Sequence, residues 1–177
     1  MMAAVTLAAA DDVTDALDAA RAAYDAGNVS TALEELSYAQ SLLQALRTDG
    51  LAGFFPPAPD GWTREISTEM GPAMAMTGGG TGAEATYRRD SDQFSITLLA
   101  DSPMIMAMAP MLTNPMLATA SGGKLHRLDG VKVLEANGSL AALIANRFLV
   151  QAEGAATDIM LPVLEQMDFA GLASFNP

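Results

Sequence analysis

The sequence predicts an α+β protein: an N-terminal helical hairpin followed by an antiparallel sheet of about seven strands with helices on one face. Three observations carry that expectation. Apolar residues recur at helical spacing through residues 12 to 46. The stretch GFFPPAPDGW, residues 53 to 62, forbids regular structure. Beyond it, polarity alternates with period two between turn signals.

Residues 12 to 26, DVTDALDAARAAYDA, place Val13, Leu17, Ala20 and Tyr24 at helical spacing, with Asp15, Asp18, Arg21 and Asp25 largely elsewhere around the helix. Gly27-Asn28 stops this helix. A second runs through VSTALEELSYAQSLLQALR, where Val29, Leu33, Leu36, Ala39, Leu43 and Leu46 keep one apolar stripe. Ser30 or Thr31 serves as its N-cap, Glu34 completes a capping box with Thr31, and Asp49-Gly50 ends it. The segment ARAAYDAGNVSTALEELSYAQ resembles one tetratricopeptide-type unit: small residues at the helix crossing, an aromatic before the turn, a glycine in it, then A-L-x-x-L. Arrays of such units bind peptides in a groove made by several stacked copies, and this unit does not recur downstream. A single copy implies a hairpin packed on its own domain or on a second copy of itself.

The chain thus divides into an acidic hairpin over residues 11–50, a Pro-rich linker over 51–61 and a sheet domain over 62–177. Trp62 opens the first strand and reads as a core anchor, with the floor of a pocket or a partner contact as its other uses. TREISTEM alternates; AEATYRRD and QFSITLLAD flank Ser91-Asp92 as a hairpin. KLHRL, Asp129-Gly130 and VKVLEA form the clearest hairpin, because Asp-Gly suits a two-residue turn with positive φ. After Asn137-Gly138, SLAALIA continues into NRFLVQAEG. Ser102-Pro103 and Asn114-Pro115 each pair a capping side chain with proline at the first helical position, and a last helix spans about Thr157 to Met167. This order of a Pro-rich entry to a Trp strand, strand pairs, a helical excursion, further hairpins and a closing helix is similar to exported single-sheet domains of the PsbP-like kind. That resemblance implies a non-catalytic partner of a larger assembly.

Composition narrows the function classes. The net charge is −12, and residues 1 to 60 hold nine acids against Arg21 and Arg47, a local −7 that leaves −5 for the rest. Nine Lys and Arg spread over the chain do not make the clustered cations that nucleic acid or anionic lipid requires. Zero cysteines remove disulfides, thiolate metal sites and a cysteine nucleophile. MMAAVTLAAADD reads like the back half of a secretory signal, residues 1–10, ending at Ala8-Ala9-Ala10 before Asp11-Asp12, so a periplasmic or secreted protein is expected. No later stretch reaches the roughly 18 uninterrupted apolar residues of a membrane span.

The chemistry of greatest interest is SPMIMAMAPMLTNPM, residues 102 to 116, with five methionines. On a helix starting at Pro103, Met104, Met108 and Met111 share one face while Met106 points elsewhere, and Pro110 kinks or ends that helix. Thioethers prefer Cu(I), so these three methionines, assisted by Met70, Met74 and Met76 of EMGPAMAM or by His126, form one candidate metal set. Methionine is equally an adaptable apolar filler and a promiscuous contact residue, which makes Met104, Met106, Met111 and Met116, with Trp62, a candidate partner surface. TGGGTG lacks the lysine and the strand-to-helix context of a phosphate loop and reads as a turn. No G-x-S-x-G elbow is present, and a Ser-His-Asp triad would have to use His126, which sits on a strand. Arg88, Arg89, Lys124, Arg127, Lys132 and Arg147 fall on strands, either as a basic stripe that meets the acidic hairpin of a second subunit or as edge protection.

The expected function is therefore a non-enzymatic exported binding or assembly module, through a protein partner or self-association and with no cofactor. A periplasmic Cu(I)-binding protein is the alternative.

Overall fold

Between the two N-terminal helices the chain reverses at Gly27, whose φ is +77°. The computed structural model describes residues 5–68, 81–120 and 122–176. Two compact units divide at Asp49 and Gly50.

The first unit holds α1 (Val5–Asp25) and most of α2 (Val29–Ala52). α1 runs without a break through the Ala10-Asp11 junction. Asn28, not Ser30 or Thr31, caps α2: its side-chain oxygen accepts from Thr31 N at 3.3 Å while its carbonyl accepts from Ala32 N. Turn and cap are thus one residue, which the short connection requires. The buried positions are Val13, Ala16 and Ala20 on α1 and Ala32 and Ala39 on α2, all but one of them alanine. Of the apolar stripe expected on α2, Ala39 is buried, whereas Val29, Leu33, Leu36 and Leu43 are exposed. Asp49-Gly50 does not end α2, which continues to Ala52. Gly50 serves packing instead, because a Cβ there would lie 2.6 Å from the ring of Phe175.

The second unit is built on one antiparallel sheet of seven strands: β1 (Thr63–Ser67), β2 (Thr81–Arg89), β3 (Asp92–Ala100), β4 (Lys124–Leu128), β5 (Val131–Ala136), β6 (Ser139–Ile144) and β7 (Phe148–Glu153). The order is β1-β2-β3-β7-β6-β5-β4, two meanders joined where β3 pairs with β7. Between β3 and β4 the chain crosses the sheet as α3 (Pro103–Thr113) and α4 (Pro115–Ala120), and it closes with α5 (Thr157–Leu164) and α6 (Phe169–Ser174).

The α+β class and the antiparallel strands are as the alternation predicts, but helices cover both faces of the sheet rather than one. Alternate residues of the central strands enter two separate apolar clusters. Ile96, Leu98, Phe148, Val150, Leu140 and Ala142 pack with Met160, Val163, Leu164 and Leu172 of the closing helices. Leu99, Leu149, Ala141 and Leu134 pack with Ile105, Leu112 and Ala118 of α3 and α4. Consecutive apolar runs such as Leu98-Leu99-Ala100 and Phe148-Leu149-Val150 are the signature of strands buried on both sides.

The Pro-rich entry is pinned by two side chains. Arg64 Nη1 donates to the carbonyls of Phe55 and Pro56, each at 2.7 Å, and the Tyr87 hydroxyl donates to Pro56 O at 2.7 Å. Tyr87 stacks on Phe94 at 4.6 Å, and Trp62 meets Phe94 edge-on at 5.1 Å. Burial of each such ring stabilises by roughly 2 to 3 kcal/mol. Where α4 gives way to β4, a Cβ on Gly123 would lie 2.8 Å from Ala118 O, so only glycine fits that approach. Among the described residues no helix is long and apolar enough to cross a membrane.

Candidate functional site

α3 begins as its sequence demands, with Ser102 Oγ accepting from Met104 N at 3.3 Å and Pro103 opening the helix. α4 repeats the device with Asn114 Oδ1 accepting from Met116 N at 3.0 Å. α3 continues past Pro110 to Thr113. Proline lacks only the donor it would offer Met106 O, and both residues lie on the exposed side of the helix, where water substitutes.

Ile105 and Leu112, one pair of turns apart, are the buried centre of the inner face of α3, and Met104 and Met108 pack half-buried beside them. Met111 falls at the margin of that face, 40% exposed. Met106 and Met116 are 78% and 80% exposed, and Leu117 is also exposed. The five methionines therefore divide between an inner pair, a marginal residue and an outer pair.

That division bears on the candidate copper set. The Met108 sulfur accepts from Gln151 Nε2 at 3.9 Å. His126 cannot assist, because alternation along β4 sends Leu125 into the cluster under α3 and α4 while His126, paired with Val133, faces the α5 side. Met70, Met74 and Met76 lie outside the described residues. Among the described residues no group of three or more His, Asp or Glu converges as a metal site. Trp62 is only 8% exposed, beneath the Arg89 guanidinium at 4.7 Å from its ring, so it contributes core rather than contact surface.

His126 is satisfied where it stands. It lies 2.6 Å from Glu135 Oε2, and an ionised carboxylate only accepts, so Nε2 carries the proton. The hydrogen bonds from His126 and, secondarily, from Thr157 hold the Glu135 carboxyl below its ordinary value of 4.5. The nearness of His126 and Glu135 follows from their near-facing positions in the β4–β5 hairpin, whereas Thr157 arrives from the start of α5 and has no signal in the sequence.

The basic residues do not gather into one stripe. Arg88 pairs with Glu65 at 3.0 Å, Arg89 with Asp92 and Arg147 with Asp101. Arg127 and Lys132 are cross-strand partners near the far edge.

Beside the methionine surface a cleft of about 610 Å³ opens where the turns of the sheet meet the end of α3. Leu112, Val131, Leu143 and Phe169 give it an apolar floor, and Lys132 and Asp129 stand at its rim. Asp168, also there, is engaged as the cap of α6 through Gly171 N at 2.7 Å. The Asp129-Gly130 turn was visible in sequence; the Ala145 wall was not. In this setting the cleft can accept an apolar side chain or ligand group of modest size, with polar orientation from its rim.

Comparison with family models, with curated proteins and with solved structures finds no match to this chain.

Proposed function

We propose that this chain is a non-enzymatic, exported binding or assembly module that engages a protein partner through the outward side chains of α3 and α4. The observation that carries the reading is the exposure of Met106, Met116 and Leu117 on helices whose inner residues already fill the core. Large apolar side chains held together in water mark a contact surface, and unbranched thioethers suit a partner of imperfectly matched shape. The neighbouring cleft adds a recess, since Leu112 and Thr113 of α3 form one of its walls. Export is supported by the switch from Ala8-Ala9-Ala10 to Asp11-Asp12 and by a composition free of cysteine.

Affinity capture from an extract of the native host tests the surface. Wild type and a Met106→Lys, Met116→Lys variant are compared, with thermal unfolding as the control for folding. Captured species that vanish in the variant while its unfolding is unchanged support the reading. Species captured equally by both proteins contradict it.

A further inference from the structure

The helical hairpin presents a second surface. Val13, Ala16 and Ala20 on α1 and Ala32 and Ala39 on α2 take the buried positions. Leu17 and Tyr24 on α1, and Val29, Leu33, Leu36 and Leu43 on α2, lie a quarter-turn to the same side of those alanines and remain 46% to 69% exposed. In an antiparallel pair, residues displaced in the same rotational sense from the buried line emerge on one side of the two-helix layer. The six side chains therefore form one apolar face.

Its margins are acidic. Asp18 follows Leu17, Asp25 follows Tyr24 and Glu34 follows Leu33, each one residue further around its helix from the apolar face. Arg21 is the one cation on the α1 margin, and its ion pair with Asp25 is 4.0 Å long and well exposed, hence weak. An apolar strip with acidic borders matches a helix with an apolar face and basic flanks. A second copy matches poorly, because it would bring another −12 and another set of acidic margins into contact.

We infer that this face docks a basic amphipathic helix of a partner protein, which completes a three-helix layer. The inference rests on the binding-module reading and supplies the chemistry of a partner at a surface separate from the methionine helices.

The test titrates the full-length chain, at physiological salt, into a labelled synthetic helix about five turns long, with leucines on one face and lysines on the other. A scrambled peptide of the same composition, which has no apolar face, serves as the control. Saturable binding of the helix is expected, weakened roughly tenfold or more in a Leu33→Asp, Leu36→Asp variant and again in Tyr24→Glu, and unchanged in Met106→Lys, Met116→Lys. Equal binding of the scrambled peptide would reduce the face to charge alone and overturn the inference. So would binding that survives both hairpin variants. Loss in the methionine variant only would place docking on α3 and α4, leaving the module reading intact and this inference wrong. Self-association of the wild type that the leucine variant abolishes would make the occupant a second copy and would equally overturn it.

Discussion

The Tyr87 hydroxyl and the Pro56 carbonyl meet at 2.7 Å inside the sheet unit, tying the Pro-rich entry to the centre of β2. Burial pushes the Tyr87 pKa up to about 12, against the lowering influence of Arg64. Tyr87→Phe leaves the ring stacked on Phe94 but removes the donor, and is expected to cost about 1 kcal/mol in urea unfolding, since Arg64 still satisfies Pro56 O. The raised value also sets a pH window. Unfolded tyrosine loses its proton near pH 10 while Tyr87 keeps it, so wild-type stability declines between about pH 10 and 12. The phenylalanine variant should lack that part of the decline.

His126 and Glu135 make the opposite window. The Glu135 pKa is lowered in the folded state, chiefly by the hydrogen bond from His126 and then by that from Thr157. Its stabilisation is present above the unfolded value and is lost as pH falls through the folded one. Unfolding midpoints measured downwards from pH 5 should fall less steeply in Glu135→Gln than in wild type. Parallel curves would show that the pair contributes nothing.

Ala145 sits at φ +50° beside Asn146 at +56°, in a turn closed by Arg147 N donating to Ile144 O at 3.0 Å. A left-handed alanine costs about 1 kcal/mol or more that glycine avoids. Ala145→Gly should therefore stabilise by about 0.5 kcal/mol after glycine's larger unfolded-state entropy is set against the relief. A thermal midpoint below that of wild type would contradict the strain.

Much of the fold is legible residue by residue. Ser102-Pro103 and Asn114-Pro115 announced α3 and α4, and Asp129-Gly130 announced the β4–β5 turn, because each needs a particular backbone or capping chemistry that few residues supply. The cover on both sheet faces was hidden by the pairing of β3 with β7, a long-range choice, although the unbroken apolar runs hinted at it. In the hairpin, hydrophobicity pointed to leucine and geometry selected alanine. The methionine site was half visible: helical spacing put Met106 outside, but only the sheet topology separates His126 from Met104 and Met108.

Met104 and Met108 follow from that separation. With one sulfur hydrogen-bonded to Gln151 and both side chains packed on Leu99 and Leu149, they behave as core. Changing Met104, Met108 and Met111 to Leu should alter stability by less than about 1.5 kcal/mol. An anaerobic Cu(I) titration against a chromogenic chelator should give the same curve for both proteins. Stoichiometric binding present only in the wild type would restore the copper alternative.

The central claim is that Met106 and Met116 meet a partner while Met104 and Met108 do not. Methyl-labelled methionine resonances, assigned by single substitutions to Leu, read all of these positions in one spectrum. On titration with the fraction of host extract that the wild-type chain captures, the Met106 and Met116 methyls should shift or broaden while those of Met104 and Met108 stay in place. Perturbation confined to Met104 and Met108, or none at any of the four, would contradict the account.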